Sequence, residues 1–190
     1  VVVGTLDPNP QVAGRGVRMM REAGIEVLVG VLEKECRELN KRFLCLQEKH
    51  RPYVILKWAE TADGYIDQVR DGGQPVTIST PLIKQLVHQQ RAENMAIMVG
   101  TRTVLMDNPI RVTLDRHGVL SPHCRIFSDD APTIVYRDDT DWAFVVHDLA
   151  KRNIHSVLVE GGSALLQHIL ETGIYDEVHI EVSDQNLPID

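Results

Sequence analysis

The chain has 190 residues, 43% of them hydrophobic, and 20 Lys and Arg against 27 Asp and Glu give a net charge of −7. That length can bury a substantial core, while the acidic balance and the lack of a long basic run argue against nucleic-acid binding. Apolar runs fall well short of the roughly 20 residues of a membrane helix, VVVGTLDPNP carries no readable signal peptide, and Cys36, Cys45 and Cys124 form no C-x-x-C pair, so no membrane partner, no metal site and a reducing, cytoplasmic address are expected.

Residues 1–31 read as strand, helix, strand: VVVGTL is β-like, GRGVRMMREAG is helical with Gly24 as its stop, and IEVLVGV is a second strand. Two such apolar strands leave open edges, so the unit must add to something else. Residues 33–49 predict one amphipathic helix, with Leu32, Cys36, Leu39 and Phe43 at helical spacing and Cys36 as a core residue. His50-Arg51-Pro52 ends it and marks a boundary between units 1–49 and 50–190.

YVILKWAET predicts a strand that stops at Ala62-Asp63-Gly64, and residues 67–75 a polar loop. Ser79 or Thr80 caps a helix with Pro81 as its first residue and Leu82, Leu86 and Gln89 or Gln90 along one side. AIMVG is a short buried strand, TRTVLMD a helix stopped by Asn108-Pro109, and IRVTLD and APTIVY are strands. A loop over 137–141, a helix DLAKRNI, a strand SVLVE, a helix GGSALLQHILETG ended by Gly173 and a strand DEVHIEVS complete the chain. This alternation predicts an α/β fold with a mainly parallel sheet flanked by helices. Ligands of such a sheet sit at the carboxyl ends of its strands, here residues 59–64, 99–103, 114–116 and 159–162.

At the last of these ends, Gly161 and Gly162 would let amides at a helix start approach an anion, with Ser163 adding a hydroxyl; an ordinary turn explains the same residues. Glu160 follows directly on an apolar run, where a carboxylate costs free energy unless paired. It is either satisfied by backbone amides or an acceptor for ligand hydroxyls. Lys57 interrupts an apolar strand, either reaching the surface or serving a site. Thr103 and Asp107 fall on one face of their helix, although Asp107 could simply end it. Arg91 could pair with Glu93 or take a ligand phosphate. The eight histidines do not cluster, and neither H-E-x-x-H nor G-x-S-x-G occurs, which weakens metalloenzyme and hydrolase readings.

VVVGTLDPNPQVAGRGVRMMREAGIEVLVGVLEKECRELN, KWAETADG, STPLIKQLVHQQRAENMAIMVGTRTVLMDNP, IRVTLDR and VLVEGGSALLQHILETGIYDEVHI together resemble the bifunctional riboflavin-biosynthesis deaminase/reductase family. The resemblance implies a dihydrofolate-reductase-like domain over 50–190, preceded by a β-α-β fragment of a deaminase-like domain over 1–49. It implies NADPH-dependent reduction of the ribosyl group of 5-amino-6-(5-phosphoribosylamino)uracil to ribityl. Zinc would belong to the rest of the deaminase domain, whose H-x-E and P-C-x-x-C motifs are not in this sequence. A homodimer through the C-terminal strand is implied as well.

By motif, the resemblance implies cofactor contacts at Ala59, Thr77, Thr103, Asp107 and Arg116 and in the phosphate loop Gly161, Gly162, Ser163, Ala164 and Leu165. Substrate contacts fall at Pro75, Arg91 and Glu160, and the chemistry of proton delivery is assigned to Lys57 and Asp107. The family's Leu-Thr-x-Arg segment after Asp107-Asn108-Pro109 is missing, because Ile110 follows directly; the stretches near 137–141 and after Val182 are short too, and omission of segments is expected rather than deletion. Two other readings are a pterin reductase of the dihydrofolate-reductase type, separable by binding of folate analogues, and a non-catalytic nucleotide-binding module, separable by substrate-dependent NADPH oxidation.

Overall fold

The computed structural model describes residues 1–66, 80–100, 110–115, 118, 120–127, 132–137 and 140–184. Among them, β1 (Val2–Val3) and β2 (Leu28–Val29) form a two-stranded parallel sheet joined through α1 (Arg15–Glu22). The helical run that follows is interrupted. α2 (Glu33–Leu39) and α3 (Lys41–Lys49) meet at Asn40, whose φ of −109° leaves the helical region and whose side chain donates to Cys36 O at 2.9 Å. An amide that competes for backbone partners is the physical reason one predicted helix becomes two.

The expected apolar stripe shifts accordingly. Leu32 and Leu39 are exposed, and α3 instead buries Leu44, Cys45 and Leu46. Cys36 is half-buried and packs so tightly on Gly4 that a β-carbon there would fall 2.1 Å from its Sγ. His50, in the left-handed region at φ 53°, ends α3 as expected.

The main sheet contains β3 (Tyr53–Glu60), β4 (Ala96–Val99), β5 (Ile110–Asp115), β6 (Thr133–Arg137), β7 (Ser156–Glu160) and β8 (Glu177–Val182), in the order β6-β5-β4-β7-β3-β8. Every pairing among the described strands is parallel. α4 (Pro81–Ala92) starts at Thr80, whose Oγ1 accepts from Ile83 N; on its predicted apolar side Leu82 and Leu86 are exposed, and Val87 is the buried residue. α5 (Trp142–Lys151) begins six residues earlier than the predicted 148–154 and ends before Ile154. Its start is drawn forward by Trp142, Val145, Val146 and Leu149, a buried stripe at helical spacing. α6 (Ser163–Thr172) ends at Gly173, which takes the left-handed conformation at φ 69°.

Alternation of side chains splits the sheet into two unlike faces. Val54 and Leu56 of β3, Ala96 and Met98 of β4, Val112 of β5 and Val157 and Val159 of β7 pack with α5 and α6 into the main core. Ile55 pairs with Leu158 and Leu56 with Val159, so Lys57 and Glu160, next on each strand, lie side by side on the opposite face. That face also carries Val99 opposite Glu160, and His179 and Glu181 opposite Lys57 and Ala59.

Candidate functional site

The carboxyl ends of β3, β4 and β7 meet at the amino end of α6. Gly162 is its N-cap and offers no side chain, so the first-turn amides are left without a side-chain cap. Such amides, at the positive end of the helix, suit an anion. Close packing explains the glycine before it. A β-carbon at Gly161 would fall 2.6 Å from Leu165 Cδ2, and one at Gly100, just past β4, would lie 3.6 Å from Gly162 N. The backbone at this glycine cradle is therefore closely packed, with Ser163 and Ala164 opening the helix.

Glu160 is the acid at this junction, and the structure gives it a partner that neither alternative from the sequence named. Its Oε2 accepts from both Nε and Nη2 of Arg91, at 2.9 and 2.7 Å, while its Oε1 is buried with no hydrogen-bond partner among the described residues. Arg91 thus has in Glu160 a partner that neither of its alternatives from the sequence, Glu93 or a ligand phosphate, named. Glu93 instead accepts from Gln89, at 3.1 Å. The side chains of Arg91 and Glu160 are only 18% and 9% exposed, so this is a pair largely removed from water. A buried carboxylate oxygen without a donor is costly, and it is the kind of acceptor that a ligand hydroxyl satisfies.

Lys57 is buried, at 8% exposure, and its Nζ lies 3.2 Å from Glu181 Oε1. It does not reach the surface. Ala59 follows two residues later on the same face, half-buried and opposite Glu181. The structure thus gathers Lys57, Ala59, Arg91, Glu160, Gly161, Gly162, Ser163, Ala164 and Leu165 around one end of the sheet. Pro75, Thr77, Thr103, Asp107 and Arg116 lie outside the described residues.

Glu177, His179, Glu181 and Gln90 were not read as site residues from the sequence, yet all are tied into this face. The signal was present in EVHIEV, where Glu, His and Glu recur with the period of a strand and so share one side. Among the described residues no three His, Cys, Asp or Glu side chains group so as to hold a metal, and no helix is long and apolar enough to cross a membrane.

Residues 52–183 match the family model of the RibD C-terminal domain. The riboflavin biosynthesis protein RibD of Aquifex aeolicus is 32% identical, over 96% of this chain and 60% of its own. Acinetobacter baumannii RibD superposes with a TM-score of 0.86 at 29% identity, covering all of this chain and 62% of that one. The diaminohydroxyphosphoribosylaminopyrimidine deaminase/5-amino-6-(5-phosphoribosylamino)uracil reductase of Thermotoga maritima gives 0.83 at 35% identity, covering all of this chain and 60% of that one. The chain thus spans under two thirds of the length of these relatives.

Proposed function

Because the chain belongs to the RibD C-terminal domain family, with a mixed α/β fold of the dihydrofolate-reductase type, we propose that it is the reductase part of a riboflavin-biosynthesis enzyme. It reduces the ribosyl group of 5-amino-6-(5-phosphoribosylamino)uracil to ribityl with NADPH. The reading is carried by the buried Arg91–Glu160 pair, with one carboxylate oxygen unsatisfied among the described residues, beside the glycine cradle of α6.

In this reading the first-turn amides of α6, over Gly161, Gly162, Ser163, Ala164 and Leu165, hold a cofactor phosphate, and Ala59, Thr77, Thr103, Asp107 and Arg116 complete the cofactor contacts. Bound NADPH supplies a hydride. The chain's own task is to hold the sugar carbon within about 3 to 3.5 Å of the donor and to exclude water. Arg91 brings its guanidinium charge to the substrate phosphate while staying bonded to Glu160, Glu160 Oε1 accepts a ribose hydroxyl, and Pro75 borders the substrate. Opening the furanose as its carbon gains a hydride requires a proton at the ring oxygen, and Lys57, on the same face as Glu160, delivers it together with Asp107.

The same reading makes residues 1–49 the end of a zinc-dependent deaminase unit and 50–190 the reductase unit, in a cytoplasmic enzyme that binds neither nucleic acid nor membrane. It also makes β8 the contact of a homodimer: this strand lies at the sheet edge, with Val178, Ile180 and Val182 exposed on one side. The test is direct. Purified protein with NADPH and the aminouracil ribotide should lose nicotinamide absorbance and yield the ribityl product by mass spectrometry. A folded protein that binds NADPH and forms no such product overturns the proposal.

A further inference from the structure

Two polar side chains of α4 reach the sheet on opposite sides of β3. Arg91 reaches β7 through Glu160, whereas Gln90, one residue earlier, reaches the edge strand: its Nε2 lies 3.4 Å from His179 Nδ1. His179 Nε2 lies 3.0 Å from Glu177 Oε2, and the other Glu177 oxygen accepts from Tyr53 Oη at 2.8 Å and from Lys41 of α3. A carboxylate only accepts, so Nε2 carries the ring hydrogen and Nδ1 of a neutral imidazole accepts the Gln90 amide.

Both ring nitrogens are therefore occupied, one on each side. Gln90 Oε1 is buried with no hydrogen-bond partner among the described residues, and the amide's contact there is to His179 through Nε2. Neighbouring helix residues project about 100° apart, and β7 and β8 are two strand spacings apart, about 10 Å. Two contacts at that separation resist rolling of the helix about its axis better than one does. Between them lies β3 with Lys57, the register partner of His179.

We propose that His179 and Gln90 are positioning residues for Arg91, fixing the roll of α4 so that its guanidinium is held where the phosphate of a phosphoribosyl substrate arrives. This rests on the reading of Arg91 as the phosphate contact. The chain of bonds begins at Lys41, so the helix that precedes the sheet takes part in shaping the site.

Steady-state kinetics of the whole chain, with the phosphorylated substrate and with the same aminouracil riboside lacking phosphate, test it. His179→Ala and Gln90→Ala should each raise KM for the phosphorylated compound about tenfold, with kcat changed by less than about twofold and KM for the riboside nearly constant. His179→Gln, whose amide can donate to Glu177 and accept from Gln90, should recover most of the loss, and the double alanine variant should be no worse than either single one. If the ratio of the two KM values is the same as in the wild type, whether or not the melting temperature drops, the positioning role is overturned. A wild-type protein with no preference for the phosphorylated compound overturns the assignment of Arg91 and the positioning role together. Should His179→Ala not fold, Gln90→Ala and His179→Gln carry the same test.

Discussion

Arg91 and Glu160 hold one another out of water, which makes each costly to remove alone. Arg91→Ala leaves a carboxylate of 9% side-chain exposure without its cation, and about 3 kcal/mol of stability should be lost, measured by urea unfolding. Arg91→Lys keeps the charge but not the fork, so stability should partly return while substrate KM stays high. Gly161 is constrained by space. In Gly161→Ala the new β-carbon meets Leu165 Cδ2 at 2.6 Å, with an expected cost of about 1–3 kcal/mol and weaker NADPH binding by calorimetry. Adding Leu165→Ala should relieve the clash, and a double variant no more stable than Gly161→Ala refutes that cause. Glu160 could be noticed in the sequence because an acid closes an apolar run. Its pairing with Arg91 could not, since the two are joined only when α4 lies across the sheet.

Asp176, which leads into β8, binds α3 and β3 together. It accepts from Arg51 Nη2 and Lys49 Nζ, both at 2.8 Å, and from Val54 N at 3.0 Å. Burial alone would raise its pKa, but the bonds from Arg51, Lys49 and Val54 outweigh it and hold the carboxyl at about 2, below its ordinary 3.8. A lowered folded value stabilises above the unfolded pKa and is lost as pH falls through the folded one. About 2 kcal/mol should therefore disappear between about pH 4 and pH 2. Asp176→Asn should flatten that part of the stability curve and lower stability at neutral pH; an unchanged slope refutes it. At this scale the strands were legible from apolar runs bounded by turn residues. The break at Asn40 was not, because its cause is a side-chain bond to Cys36 O that helical periodicity does not encode. The start of α5 was missed for another reason: its stripe begins with Trp142, directly after a polar stretch that reads as loop.

For the whole molecule, sequence alternation indicated a parallel sheet but could not order its strands. The order β6-β5-β4-β7-β3-β8 places β7 between β4 and β3, and this is what brings Glu160 next to both Val99 and Lys57. At the far edge, Val178, Ile180 and Val182 are 36%, 48% and 64% exposed, a larger apolar row than a free edge strand usually keeps. Ile180→Lys should convert a dimer to monomers in sedimentation velocity with the secondary structure intact. A wild-type protein that is monomeric at high concentration removes the proposed interface.

β3 begins at Tyr53, but its neighbours are Ser156 and the residues after it on one side and β8 on the other. As the chain leaves the ribosome, this apolar strand must wait for roughly a hundred more residues before either partner exists, with both of its hydrogen-bonding edges bare. Synthesis at about 5–20 residues per second makes that delay several seconds long. The protein is thus most vulnerable to clumping while it is being made, and a chaperone that shelters nascent apolar segments should raise its yield more than any later treatment.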